Sequence, residues 1–219
     1  MLPAAAHHSR NDNIGNMQGV DVLQVLLGPP ACEGCGARSG ALCEVCREEL
    51  GRPDTTAPIP GIDRALARWV YGGAARNLIL ALKLRGMRVA AVPLVAAMRA
   101  EVLAQGLLGD VVTWVPGRRR DTRRRGYDHA EALARGLARA LGLDARPLLR
   151  RTTDPADQTQ LGAAARRLNL SGAFEAERCP AEVVLVDDLV TTGSTATACA
   201  LALRAGGATT VELVVPCRA

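Results

Sequence analysis

Val183-Val184-Leu185-Val186-Asp187-Asp188-Leu189-Val190-Thr191-Thr192-Gly193-Ser194-Thr195 is the stretch that decides the fold. Four consecutive β-formers with no polar face read as a central strand covered on both sides, the usual condition of a parallel sheet. Two carboxylates follow at the strand's carboxyl end, where open α/β sheets bind ligands. Thr-Thr-Gly-Ser-Thr then opens a helix of Ala and Leu that runs to Gly206-Gly207. Such a turn offers unpaired backbone N–H groups and the positive end of a helix dipole, which suits a phosphate. The hydroxyls of Thr191, Thr192, Ser194 and Thr195 add donors. Asp187 and Asp188 would repel a phosphate, so they suit hydroxyl groups beside it, or a cation shared with it. Phosphate and vicinal hydroxyls side by side describe a ribose 5-phosphate. The competing reading is a strand ending in a polar turn with an N-capped helix. The apolar strand before the acids and the Gly-centred hydroxyl loop after them favour the ligand site.

Working outward, 219 residues allow one full domain plus a small appendage. The apolar share of 48% suffices for a core, but it is Ala-rich with five aromatics, so close helix-on-sheet packing is expected. The formal charge of +5 is local: six arginines (118, 119, 120, 123, 124 and 125) and Asp121 between Gly117 and Gly126 account for all of it. That concentration marks an anion site rather than a general basic coating. Lys83 is the chain's single lysine. The longest apolar run, Val89 to Met98, falls short of the roughly 18 residues that span a bilayer. No basic-then-apolar leader opens the chain. A cytoplasmic protein without membrane insertion is expected.

Residues 1–30 lack periodicity and read as a disordered tail, and a start at Met17 rather than Met1 would lose no assignable element. Cys32-Glu-Gly-Cys35 and Cys43-Glu-Val-Cys46 follow, seven residues apart. Two Cys-x-x-Cys knuckles place four thiolates where one tetrahedral Zn²⁺ can take them all. Disulfides are disfavoured in the cytosol, and a redox pair would need a thioredoxin-like βαβ unit around it. Four thiolates close the coordination shell, so this zinc, in a module over 31–52, is structural. Arg52 to Gly61 reads as a linker, and 62–219 as the main α/β domain. Its elements are a strand at Ala65–Tyr71, a helix at Ala74–Arg85 delivering Lys83, and a helix at Val89–Gln105. A strand at Val111–Val115 then runs into the arginine loop, Asp128 caps a helix through Leu141, and Thr210–Val215 is the last strand. Arg150 to Gln158 reads as polar and mobile, and Gln158 to Asn169 as a candidate lid. Cys179, Cys199 and Cys217 read as buried or free thiols. No residue stands out as a general base, and His129 reads as an ordinary first-turn helix residue.

The Asp187–Thr195 segment resembles the phosphoribosyl pyrophosphate (PRPP) motif of type I phosphoribosyltransferases. The wider set of marks resembles the ComF family, which joins a four-Cys zinc module to a PRPP-type domain. The marks are the four cysteines, Tyr71-Gly72 to Lys83-x-x-Gly86, Arg125-Gly126-Tyr127, Arg150 to Gln158, Arg166 with Asn169, Gly172-Ala173-Phe174 and Asp187 to Thr195. The resemblance implies a type I phosphoribosyltransferase-like, mostly parallel sheet flanked by helices. Asp187 and Asp188 would meet the ribose hydroxyls, and Thr191, Thr192, Gly193, Ser194 and Thr195 the 5-phosphate. Arg118, Arg119, Arg123 and Arg125, with Lys83 and Mg²⁺, would take the pyrophosphate. The acceptor is left unnamed. Where the family has Arg-Gly-Phe-Asn-Gln, this chain has Arg125-Gly126-Tyr127-Asp128-His129, and Pro116-Gly117-Arg118 replaces a Pro-Leu-His/Pro lead-in. A PRPP or nucleotide sensor without catalysis is a second reading. A nucleic-acid-handling partner is a third, since the family is associated with uptake of transforming DNA. Its single-stranded DNA would be gripped by phosphates, because five aromatics offer little base stacking.

Overall fold

The computed structural model describes residues 29–54, 57–152 and 172–219. Residues 1–28 of the tail expected over 1–30 and the lid at Gln158 to Asn169 lie outside these residues, as does the rest of 153–171.

Val183 to Val186 forms the heart of a parallel sheet, as its unbroken apolar run requires. Strands β1 (Arg64–Val70), β2 (Val111–Trp114), β3 (Asp144–Ala145), β6 (Glu182–Val186) and β8 (Thr210–Arg218) lie in the order β1-β8-β6-β2-β3. The pairings are all parallel, with Val184 opposite Val112 on one side and Glu212 on the other. The short β7 (Leu189–Val190) continues beside the end of β8. The period of two along each strand divides the core between two faces. Val112, Val184, Val186, Val214, Leu66 and Trp69 pack against helices α2 (Gly73–Arg85), α3 (Ala91–Gln105) and α5 (His129–Leu141). Val183, Leu185, Val211, Leu213 and Val215 pack against α6 (Ser194–Ala205) and an antiparallel pair, β4 (Leu149–Arg151) with β5 (Phe174–Ala176). Small residues allow this close stacking: a Cβ on Gly136 would stand 2.8 Å from the Val95 side chain where α5 meets α3. The mostly parallel, helix-flanked sheet expected from the sequence is therefore present.

Three segments differ from expectation. Val89 to Gln105 is not one helix: a 3-10 turn at Arg88–Ala90 precedes α3. Pro93 falls in the first turn of α3, where its missing N–H has no intrahelical partner to lose. The arginine loop is instead a short helix, α4 (Arg119–Arg125), stopped by Gly126 in the left-handed region at φ 76°. Arginine is a good helix former, and Asp121 stands 3.6 Å from Arg125 and 4.0 Å from Arg124 one turn on. Arg150 and Arg151, expected in a mobile segment, belong to β4, with the Arg151 guanidinium 4.5 Å from the Phe174 ring centre.

At the N-terminal side, α1 (Glu44–Glu48) carries Cys46 and is capped by the Cys43 side chain. Cys32 and Cys46 are buried against Ala74 at the start of α2. Asn77 of α2 donates to the Glu33 carbonyl at 2.8 Å, and Arg85 pairs with the Glu33 carboxylate. The four-Cys segment thus rests on the helix that carries Lys83. The linker also does more than connect, since Ile59 is buried in the core beneath α6.

Candidate functional site at the carboxyl edge of the sheet

Strand β6 ends at Val186 and β7 resumes at Leu189, so Asp187 and Asp188 occupy a break in the sheet's carboxyl edge. The break turns their side chains toward two different sets of neighbours. Asp188 is buried, and its Oδ2 lies 2.5 Å from Nζ of Lys83 in the last turn of α2. Its Oδ1 lies 3.8 Å from Nε2 of His129, and His129 Nδ1 lies 3.0 Å from Nη1 of Arg125. Asp187 Oδ1 accepts the Asp188 backbone N–H at 2.8 Å. Burial, and then the adjacent Asp188 carboxylate, push the Asp187 carboxyl well above the usual carboxylate range, with Lys83 opposing. Burial holds the His129 ring below its ordinary value, partly countered by Asp188.

Asp128 assembles the α4–α5 corner. Its Oδ1 caps α5 by accepting Ala130 N–H at 2.9 Å, while Oδ2 accepts Gly117 N–H at 2.7 Å. A Cβ at Gly117 would sit 2.8 Å from that oxygen, so the turn needs glycine's small size. Through this corner Arg125 reaches the acid pair, by way of His129. Arg118, Arg119 and Arg123 share its segment but remain exposed, together with Arg120 and Arg124.

Thr191 to Ser194 form the turn into α6, with Gly193 at φ 75° as the N-cap. A side chain there would be strained by conformation and would also meet Ile59 at 2.9 Å. Thr192 Oγ1 and Ser194 Oγ are 2.9 Å apart, and both stay accessible. Thr191, Thr192, Gly193, Ser194 and Thr195 line one open pocket, and Asp187 lines it too. The structure therefore brings the hydroxyl loop, Asp187, Asp188, Lys83 and Arg125 to one edge. His129 is the member that sequence reading passed over. Its signal was the i, i+4 spacing from Arg125 across the short turn that joins α4 to α5.

In the N-terminal segment, Cys32, Cys35, Cys43 and Cys46 place one sulfur each within 4.8 Å of the others, and all four are free thiols. Cys35 Sγ and Cys43 Sγ are 3.6 Å apart, near the tetrahedral edge of about 3.8 Å implied by four Zn–S bonds of about 2.3 Å. Backbone N–H groups of Gly34 and Cys43 point at Cys32 Sγ, each at 3.3 Å. Burial works to raise the Cys32 thiol, but N–H donors from Cys43, Cys35 and Gly34 outweigh it and leave it at about 6. The Cys46 thiol is pushed up, first by its neighbour Cys43 and then by burial. Without a cation the thiols must share protons, whereas a divalent ion would hold all four ionised. The residues fit zinc, and with four protein ligands they leave no position for substrate.

Taken together, these features define an open, parallel α/β protein with a pocket at the carboxyl edge of its sheet and a four-Cys cluster, able to hold a metal ion, docked on one flanking helix. The chain belongs to the family of the DNA utilization protein YhgH. It is 33% identical to that protein from Salmonella typhi over 198 residues, covering 85% of this chain and 83% of its relative. The YhgH proteins of Escherichia coli O157:H7 and Salmonella typhimurium are 38% and 39% identical, and there the match spans half the relative's length, 50% in each case. Two solved structures are partly similar. One is the allosteric regulatory enzyme of purine biosynthesis, with TM-score 0.39 and 25% identity over 54% of this chain and 24% of that one. The other is the glutamine phosphoribosylpyrophosphate amidotransferase from B. subtilis, with TM-score 0.38, 28% identity and the same coverages, 54% and 24%. No protein-family model matches the chain. Among the described residues, no helix is long and apolar enough to cross a membrane.

Proposed function

We propose that this protein binds PRPP with Mg²⁺ and transfers the phosphoribosyl group to an acceptor, as a phosphoribosyltransferase of the ComF type. One observation carries the reading: Asp187 lines the same pocket as the hydroxyl loop Thr191–Ser194, at the carboxyl edge of a parallel sheet. Loop amides and hydroxyls suit the 5-phosphate, and the acids suit the ribose hydroxyls. In the transfer the C1–O bond to pyrophosphate breaks, and the ribose gains oxocarbenium character before the acceptor bonds to C1. A catalyst must then hold the ring and stabilise the departing charge. Arg118, Arg119, Arg123 and Arg125 stand on the segment assigned to the pyrophosphate. Lys83, paired with Asp188, would be shared between the two anions, and Mg²⁺ would neutralise part of the leaving charge. The zinc knuckle stays structural in this reading.

Calorimetry with PRPP and Mg²⁺ tests it. The intact protein should bind, and Asp188→Asn, which keeps the side chain's shape, should lose most of that affinity. No binding by the intact protein would end the proposal. Pyrophosphate release with a panel of bases and amines then separates an enzyme from a PRPP sensor. A nucleic-acid role is favoured by a separate observation, the exposed arginines of α4, and by the name of the YhgH relatives. Binding to single-stranded DNA should then weaken steeply with salt, and Arg123→Ala with Arg124→Ala should flatten that slope by about one to two phosphate contacts. A slope that these substitutions leave unchanged would remove the DNA role.

A further inference from the structure

We propose that His129 is a substrate-contacting donor of this site. Arg125 orients the ring so that Nε2–H faces the acid pair, where it donates to a ribose hydroxyl whose own proton Asp188 accepts. The proposal rests on the phosphoribosyl reading above and adds a residue to it.

The argument begins with donor chemistry. A guanidinium has no acceptor atom, so the 3.0 Å contact between Arg125 Nη1 and His129 Nδ1 makes Nδ1 the acceptor. A neutral ring that accepts at Nδ1 carries its proton on Nε2. That N–H reaches toward Asp188 Oδ1 but stops at 3.8 Å, beyond hydrogen-bond length. A hydroxyl is donor and acceptor at once, so one seated beside both groups satisfies the two of them. The ring is well placed for this, since its side chain is only 14% exposed and sits in the first turn of α5. The charges facing it are Asp188, Lys83, Asp128 and Arg125, with the two cations opposing the two acids. Burial tips the balance to the neutral ring, which is the form the tautomer argument requires.

The same tautomer decides against another use of the cluster. His129, Asp187 and Asp188 each place one candidate ligand atom within 4.8 Å of the others, as a cation site would. A metal needs an imidazole lone pair, yet Nδ1 is engaged by Arg125 and Nε2 bears the proton. His129 therefore serves the sugar, not a metal.

Two measurements test the proposal. Long-range ¹H–¹⁵N spectra of the histidine rings in the intact protein should show His129 as the Nε2–H tautomer, unmoved by Mg²⁺ alone. The Nδ1–H tautomer, or ring nitrogens that shift as Mg²⁺ binds, would overturn it. Calorimetry then uses ribose 5-phosphate and inorganic phosphate as probes. His129→Ala should weaken ribose 5-phosphate by about tenfold, the worth of one hydrogen bond, and leave inorganic phosphate unchanged. His129→Gln, which restores an N–H donor of similar reach, should return affinity to within about threefold of the intact protein. Equal losses for both probes, or a Gln variant no better than Ala, would reduce His129 to a structural role. If the intact protein fails to bind ribose 5-phosphate, the phosphoribosyl reading falls as well. If it binds and His129→Ala changes nothing, only the present inference falls.

Discussion

Asp188 shows most directly how one residue's surroundings set its behaviour. Its carboxylate is buried, borders a second acid and is neutralised by Lys83 at 2.5 Å. Removing one partner of a buried ion pair leaves the other charge uncompensated. Lys83→Met should therefore cost about 3 kcal/mol in urea denaturation, and adding Asp188→Asn to it should recover most of the loss. A single-variant cost below about 1 kcal/mol, the range of surface pairs, would show that the pair is uncoupled. Asp187 behaves in the opposite sense. Its folded pKa is raised above the ordinary 3.8, so the folded state holds the proton more tightly than the unfolded chain does. That contribution is fully present below the unfolded value and is lost as pH rises through the folded one. Asp187→Asn should consequently show a flatter decline in stability as pH rises above the ordinary carboxylate range, while binding PRPP poorly. Urea titrations over that rise would detect it, and a variant with an unchanged slope would refute the claim. A carboxylate kept at such a stability cost would fit the binding role proposed for Asp187.

At the level of elements, two helix starts are fixed by close packing. The turn into α6 depends on Gly193, whose φ of 75° and 2.9 Å approach to Ile59 both exclude a side chain. Gly193→Ala should destabilise by about 1–3 kcal/mol and impair phosphate binding more than Ile59→Ala does, as thermal melts and calorimetry would show. The start of α2 is held by the four-Cys segment, since Cys32 and Cys46 pack on Ala74 and Glu33 grips Asn77 and Arg85. Zinc analysis of the reduced protein should find about one ion per chain, and Cys43→Ser should lose it. Thermal stability should fall with the metal, because binding energy at such sites is folding energy. Protein that contains no stoichiometric zinc would refute the knuckle assignment. The short elements were the hardest to anticipate. Strands β3, β5 and β7 run only two or three residues, too few to display a period, and exist because a neighbouring edge offers them partners. The arginine run reads as a loop by charge, yet charge does not oppose a helix when Asp121 and Gly126 supply a partner and a stop.

For the molecule as a whole, two buried acids tie distant parts together. Glu212 in the middle of β8 is fully buried, pairs with Arg64 of β1 and accepts the Leu108 N–H at 2.9 Å. Arg64 in turn donates to the carbonyls of Gln105 and Gly106, closing the end of α3 against the sheet edge. Glu212→Ala should cost about 3–5 kcal/mol, more than any exposed pair of the fold, measurable as a shift in denaturation midpoint. Glu101 joins Arg52 and Arg68 in the same manner, fastening the stretch after the four cysteines to α3 and β1. These arrangements make the four-Cys segment and the α/β sheet one packed body at the described residues.

What the sequence determined by itself was local: the apolar strand, the acids and hydroxyl loop that follow it, the knuckle spacing, the capped helices. Each rests on residues within about a dozen positions, where propensity, periodicity and ligand geometry act without help from the rest of the chain. Only the tertiary structure decided that Lys83 of α2 and His129 of α5 converge on Asp188, that Ile59 packs beneath Gly193, and that the four cysteines rest on α2. Those meetings join residues far apart in the chain. They follow from which helix lies on which face of the sheet, a choice made by the packing of whole layers and by no single segment.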